Sequence, residues 1–354
     1  MSRSIIILGA GLTGLSLAYK LQQQGIEVTI LESRDRVGGR IFTKMSGNHT
    51  PIDLGAAWFW SYNREVLSLI DKLGLKYEEQ HMDSKVWYKS HPGTSYQLID
   101  MPANQPASYR LRGGSSNLIL SLNAVLKEGQ VKYNTTVQRV VHHRDTYQIH
   151  TNDIIYNADV VINTIPPQIT ASAITFEPSM PINYLYIARR TQTWMEDSVK
   201  FGLGFKSPFW KEKGIPATAF SNSGPIAELY DYSHYPSSRF ALMGFVHPTA
   251  TRLPADERKK VIVDQLAELL GIEVHNYISF ELSAWNEQPS TNPDAQNLRT
   301  PHENNGHPIL RQSLNGGTLI MAGSETSDQH AGYMEGALRS AQLAFEQVLS
   351  LNIL

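Results

Sequence analysis

"SIIILGAGLTGLSLAYKLQQQGIEVTILESRDRVGGRIFT", residues 4–43, decides the fold. Ile5 to Leu8 is an apolar run of strand length. A glycine-rich turn follows it, and Leu15, Ala18 and Leu21 then recur at helical spacing until Gly25 ends the helix. "IEVTILE" reads as a second strand. A crossover between two such strands is right-handed, so they lie parallel. In that frame Gly9, Gly11 and Gly14 permit a tight turn and close backbone approach, and Leu12 and Thr13 open a helix whose amino terminus faces a pyrophosphate. Glu32, 18 residues past Gly14, is placed to accept hydrogen bonds from ribose hydroxyls. The motif alone suits NAD or FAD.

The next residues choose between them. A nicotinamide-binding unit generally needs nothing more on its phosphates. Here "SRDRVGGR" runs from Ser33 to Arg40 and adds Gly38 and Gly39 for a second close approach, with Arg34, Arg36 and Arg40 as candidate phosphate or ribityl contacts. FAD is the expected cofactor.

Further along, residues 63–73 read as a helix, residues 75–106 as short strand-like pieces rich in Tyr, Ser and Pro, and "RGGSSNLILSLNAVL" as a glycine turn and helix. Short strand patterns fill residues 131–163, and "IPPQ" breaks them. Residues 167–285 mix strands such as "VKFGLGF" with a helix from Asp256 to Leu270. A long polar loop, a strand at "TLIMAG" and a helix from Glu335 to Leu349 complete the chain. The expected fold class is α/β: an FAD-binding Rossmann-like domain of glutathione reductase type, interrupted by a mixed-sheet α+β substrate domain. The expected FAD-binding segments are 1–74, 107–166 and 286–354; segments 75–106 and 167–285 form the expected substrate domain.

Bulk composition excludes several alternatives. Lys plus Arg number 31 and Asp plus Glu 33 among 354 residues, a net charge of −2 that gives no general electrostatic case for nucleic acid or anionic membrane. The absence of cysteine rules out disulfides, thiolate nucleophiles, Cys-based zinc sites and a cysteinyl link to a cofactor, so FAD is expected to be held non-covalently. No stretch approaches the roughly 20 apolar residues of a membrane span, and Ile5 to Leu8 is too short for a signal-peptide core. A soluble, cytoplasmic protein of open oligomeric state is the expectation. There is no GxSxG, HExxH or P-loop, and His142 with His143 reads as a strand or turn pair, so no metal is expected.

The opening stretch closely resembles the amino-terminal signature of the flavin-containing amine oxidases, the family of monoamine, polyamine and amino-acid oxidases. Other blocks follow in family order. "DLGAAWFW" is similar to the segment beside the isoalloxazine ring, which implies Gly55, Ala56, Ala57 and Trp58 as flavin contacts. "NTTVQRV" matches the strand whose Val137 backbone would read adenine. "DSVKFGLGF" resembles the strand carrying a lysine near flavin N5, here Lys200, implied to hold a water there and to help the reduced flavin meet oxygen. "LIMAGSETSDQHAGYMEGALRSAQLAFEQVL" is similar to the carboxy-terminal flavin signature.

That last block also makes physical sense. Gly323 ends a strand where a cofactor can approach, and Ser324 and Glu325 can bond phosphate and ribityl groups. Met334 opens a helix whose unpaired amides would face flavin N1 and O2. Tyr333 is implied as one wall of the substrate face. Trp285 resembles a tryptophan packing by the flavin and reads equally as a core residue. Where the family carries a glycine-rich turn with a second tyrosine, this chain has "NEQPSTNPDAQNL", without an aromatic; Trp58, Phe59 or Trp60 is the expected substitute wall.

The resemblance implies oxidation of an amine or amino acid by hydride transfer to flavin N5, with O2 as acceptor and H2O2 as product. Lys200, Tyr333 and Trp285 are the catalytic candidates, and the expected partners are a small-molecule amine and molecular oxygen. A porphyrinogen- or carotenoid-type FAD-dependent desaturase or dehydrogenase and a catalytically silent FAD-binding protein are the alternatives.

Overall fold

The computed structural model describes residues 3–102, 104–292 and 299–351. Five parallel strands form its centre, in the order Val131–Lys132, Val28–Leu31, Ile5–Leu8, Val160–Asn163, Leu319–Met321. Ile5–Leu8 and Val160–Asn163 are buried on both faces, which is why they read as unbroken apolar runs rather than alternating ones. Helix Leu12–Gln23 packs on this sheet and against the carboxy-terminal helix Met334–Ser350, with Leu15, Ala18, Leu21, Ala341 and Ala344 buried between.

A four-stranded sheet, Ile155–Ala158, Thr146–Thr151, Val137–His143 and Thr175–Glu177, lies beside the first; His142 and His143 fall on its third strand. The first of the strand patterns read in residues 131–163, "VKYN" at residues 131–134, does not join it. Val131–Lys132 instead becomes the edge of the parallel sheet, pairing with Ile30 and Leu31. Two short helices, Pro167–Ala173, which begins within "IPPQ", and Ile182–Arg190, are absent from the sequence reading. Each starts with proline at or beside its first position, a start signal, but the apolar stripe is too short to stand out.

The second body is a seven-stranded sheet in the order Ser279–Ala284, Val199–Phe205, Phe240–Val246, Ile226–Asp231, Ala219–Ser221, Lys85–Lys89, Gln97–Asp100. The last two strands come from the Tyr- and Ser-rich segment, which joins the others through the pairing of Trp87 with Ala219. One face of this sheet is dry: Val199, Phe201, Leu203, Leu229, Leu242 and Val246 pack on Ile262, Leu266 and Leu270 of helix Ala255–Leu270. The opposite face meets the segment Ile52 to Trp58. Gly202 has no side chain because a Cβ there would lie 2.5 Å from Cγ2 of Ile52.

Candidate active site

The predicted cofactor residues gather at the carboxyl ends of the parallel strands, where ligands bind in open α/β sheets. Gly11 caps helix Leu12–Gln23, and Gly11 and Gly38 are bridged, which sets the two glycine turns against each other. Gly38 and Gly39 adopt φ of +108° and +57°, conformations that favour glycine. A Cβ on Gly14 would fall 2.1 Å from the Gly9 carbonyl oxygen, whereas one on Gly11 would meet nothing within 4 Å. The first contact explains the glycine by helix–turn packing; the second leaves a bare backbone cradle.

Thr13 donates to the Ala337 carbonyl at 3.2 Å, so the amino termini of helices Leu12–Gln23 and Met334–Ser350 converge beside this cradle. Met334, at the start of the second helix, has an amide with no partner within the helix. Two helix dipoles therefore point positive ends at one region.

Glu32 is buried, and its carboxylate accepts from the Ala10 amide at 2.8 Å and from the Arg34 amide at 2.9 Å. It thereby ties the glycine turn to the arginine loop, and its remaining lone pairs are available to hydroxyl donors. The Ser33 hydroxyl lies 3.4 Å from the same carboxylate. Asn134 and Thr135 donate to the carbonyls of Arg34 and Glu32, which brings Val137, at the start of its strand, next to this loop.

The arginines divide. Arg36 folds back on its own turn, donating to the carbonyls of Val37 and Gly39. Arg34 reaches Gln288, Ser290 and Thr291, in the polar loop after Trp285. Arg40 makes a two-pronged pair with Glu325 at 2.5 and 3.0 Å and donates to Ser324 at 2.9 Å. Burial opposes ionisation of Glu325, yet the Arg40 guanidinium and the Ser324 hydroxyl hold it below the usual carboxylate range. This pair clamps the loop after Gly323 to the arginine loop.

Lys200 lies on the sheet face opposite Val199 and Phe201 and is 2 % exposed. Its ammonium donates to the carbonyls of Asp53 at 2.7 Å and Gly55 at 2.9 Å, leaving one N–H for a water. Burial pushes its pKa down to about 8, against the pull of the Asp53 and Glu228 carboxylates. The Trp58 and Phe245 rings stand 5.3 and 4.8 Å from its nitrogen. Asp53 is itself buried and accepts from Thr43, from the amide and hydroxyl of Ser115, and from Tyr232 at 2.6 Å. The Ser115 hydroxyl shares its single proton between Asp53 and the Ala56 carbonyl, 2.9 and 2.6 Å away, so the stretch Asp53 to Trp58, with Ala57 buried in it, is held from both sides. The burden Asp53 carries was legible only as the first letter of "DLGAAW".

Trp285 is buried and donates to the Leu54 carbonyl at 2.7 Å, bracing the same stretch from the end of strand Ser279–Ala284. Tyr333 is 41 % exposed and stands in a group of three rings: Trp194 lies 5.4 Å and His302 5.6 Å from it, and those two stack at 3.9 Å. Trp194 and His302 are thus the ring partners of Tyr333, and sequence reasoning missed both. Of the expected substitutes, Phe59 turns into the core against Tyr77 and Tyr109, Trp60 stacks on Tyr62, and only Trp58 faces Lys200. Part of the loop without an aromatic, residues 293–298, lies outside the described residues.

The model of the family "Flavin containing amine oxidoreductase" matches residues 12–107 and 94–349. The chain belongs to that family. It is an oxidoreductase, and its cofactor is FAD. A relative named "Probable flavin-containing monoamine oxidase A", from Dictyostelium discoideum, is 24 % identical over 441 residues, covering 95 % of each chain. That alignment is longer than the 354 residues here, so much of the difference in length is carried as internal insertions in the relative. Among solved structures, a putrescine oxidase bound to putrescine superposes with a TM-score of 0.84 at 20 % identity, covering 99 % of each chain. Cyclohexylamine oxidase from Brevibacterium oxydans superposes with a TM-score of 0.85 at 18 % identity, covering 99 % of this chain and all of that one. These two share the fold.

The residues present fit FAD. The open cradle at Gly11, the converging helix termini and the Glu32-tied loop suit an adenine dinucleotide pyrophosphate, and the lack of cysteine agrees with non-covalent binding. Among the described residues, no group of His, Asp or Glu is arranged to hold a metal, and no helix is long and apolar enough to cross a membrane.

Proposed function

We propose that the protein oxidises a primary or secondary amine, with oxygen as acceptor and hydrogen peroxide as product. Bound FAD supplies the two-electron acceptor for hydride loss from the carbon bearing the amine; the resulting imine hydrolyses to a carbonyl compound and a released amine or ammonia. The observation that carries the reading is Lys200, a buried ammonium with one free N–H, fixed by the carbonyls of the stretch that begins "DLGAAW". A cation in a dry, preorganised place favours the negative charge that develops as oxygen is reduced. Tyr333, with Trp194 and His302, forms an aromatic wall suited to an amine, and Trp58 forms another beside Lys200. Val137, Arg34, Arg40, Ser324, Glu325 and the amide of Met334 are the residues we assign to holding the cofactor.

The test is an anaerobic screen of amines and amino acids, read by loss of the flavin absorbance band, followed by admission of air with peroxide detection. Bleaching by an amine, and recovery in air with one peroxide per turnover, is the expected result. Bleaching by polyenes or porphyrinogens alone would assign the desaturase chemistry instead, and no bleaching by any compound would leave an FAD-binding protein without oxidase activity.

A further inference from the structure

The second glycine turn, "RGGSSNL" at residues 112–118, is built around a carboxylate. Gly113 and Gly114 adopt φ of +81° and +91°, and a Cβ on Gly114 would lie 2.3 Å from Cγ2 of Thr43. The turn therefore lies flush on strand Thr43–Met45, in which Thr43 pairs directly with Asp53. The fit is reciprocal: the Thr43 amide donates to the Ser116 hydroxyl and the Ser116 amide to the Thr43 hydroxyl, both at 2.8 Å. With an acceptor site filled, the Thr43 hydroxyl turns its proton to Oδ1 of Asp53. The Ser115 amide reaches the same oxygen at 2.8 Å, and Oδ2 takes the Tyr232 hydroxyl from the far body. Asp53 is 0 % exposed, and donors on both of its oxygens are the pattern of a carboxylate rather than a carboxyl.

A buried carboxylate is costly unless a positive charge compensates it. Two cations stand near. Arg110 lies 4.4 Å from the Tyr232 ring, but Glu78 already pairs with it at 2.8 Å. Lys200 donates to the carbonyl of Asp53 itself, and the Asp53 carboxylate acts on its ammonium more strongly than Glu228 does. The other charged groups on the Lys200 face of the sheet are engaged elsewhere. Glu228 accepts from the Tyr230 hydroxyl at 2.7 Å, and Glu281, paired across strands with Gly202, binds Lys44 at 2.6 Å.

We propose that Asp53 is a positioning residue: its carboxylate, fixed by donors from Thr43, Ser115 and Tyr232, is the counter-charge that keeps the buried Lys200 an ammonium. The consequence for oxygen rests on the role given to Lys200 above and deepens it. One residue does both parts of the work, its carbonyl fixing the position of the cation and its carboxylate the charge. Tyr232 tempers the effect, since its hydroxyl dipole offsets part of the negative charge that Lys200 feels.

The experiment uses the FAD-loaded protein labelled with 13Cε-lysine, in which Lys200 is the NMR signal missing from Lys200→Met. Its pH titration reads the charge on Lys200 without turnover. Asp53→Asn keeps an acceptor for Thr43 and Ser115 and turns an amide donor toward the Tyr232 oxygen, so the charge alone is removed. The Lys200 midpoint, about 8 in wild type, should fall by roughly one to two pH units. The charged fraction at pH 7 then drops from about nine-tenths to between about a half and a tenth, and reoxidation at that pH slows roughly two- to tenfold. On the Lys200→Met background Asp53→Asn should slow reoxidation no further, which a merely structural role would not predict. Tyr232→Phe should move the midpoint the other way, upward by roughly a few tenths of a pH unit. An unchanged midpoint in Asp53→Asn, or a downward shift in both variants, would overturn the proposal. If Asp53→Asn fails to fold, a midpoint that does not rise in Tyr232→Phe overturns it alone. If the midpoint moves as expected but reoxidation does not follow, the role of Lys200 toward oxygen falls and the counter-charge stands.

Discussion

Replacing Lys200 by methionine should separate the two half-reactions. The side chain is fully buried, and its pKa is lowered from 10.5 to about 8, chiefly by burial. That shift corresponds to about 3 kcal/mol of strain on the charged form. Because the folded pKa lies below the unfolded one, the cost is fully present below pH 8 and is relieved as pH rises from about 8 to 10.5. Methionine removes the cost but leaves the Asp53 and Gly55 carbonyls without their donor, a penalty of about 1–3 kcal/mol each. The opposing effects are of similar size at neutral pH, so a folded, FAD-containing variant is expected. Its stability relative to wild type should decline as pH rises past 8, because only wild type gains from deprotonation.

The kinetic effect should be lopsided. Loss of one preorganised electrostatic partner is worth about one to three powers of ten, and here it falls on the oxygen half-reaction. Wild-type reoxidation should slow as pH rises through about 8 and the ammonium is lost, whereas the variant should be slow and flat across that range. The assay is double-mixing stopped-flow: anaerobic reduction by an amine, then oxygenated buffer, each repeated from pH 6.5 to 9.5. Equal reoxidation rates for the two proteins, or a wild-type rate indifferent to pH, would refute the role given to the Lys200 charge and return the acceptor question to a dehydrogenase.

Three further outcomes are expected. Glu32→Ala should weaken FAD binding by about 1.5–3 kcal/mol, read by flavin fluorescence titration, since the carboxylate ties the Ala10 and Arg34 amides; an unchanged affinity would remove Glu32 from the site. Arg40→Ala leaves the Glu325 carboxylate buried without its partner and should cost about 3–5 kcal/mol in chemical denaturation. The Glu325 pKa is depressed in the fold, so the pair's contribution is present above the unfolded carboxylate pKa and fades as pH falls through the folded one; the gap between variant and wild type should therefore narrow in acid, and a constant gap would count against the pair. Gly202→Ala should cost about 1–3 kcal/mol by driving a methyl into Ile52, with the thermal midpoint as readout, and a neutral effect would mean that the two bodies separate easily there.

Residues 4–43 carried the first cofactor-binding unit on their own, because a βαβ unit is local: periodicity, glycine placement and Glu32 all act within one crossover. The alternation around Lys200 was equally legible, since a strand's period is set by backbone geometry alone. Helices Pro167–Ala173 and Ile182–Arg190 were not, because helices of seven and nine residues owe their stability to what they pack on. The same division runs through the site. Gly11, Ser324 and Glu325 could be named from motifs, but that Arg40 is committed to Glu325 depends on two loops 285 residues apart meeting. Trp194 and His302 carry no motif and become partners of Tyr333 only by tertiary contact. Glu228 shows the limit most plainly: a charged residue inside "IAELYD" signals an unusual strand position, but which side chains share its face depends on the register of four neighbouring strands, and register is settled by packing between segments distant in the chain.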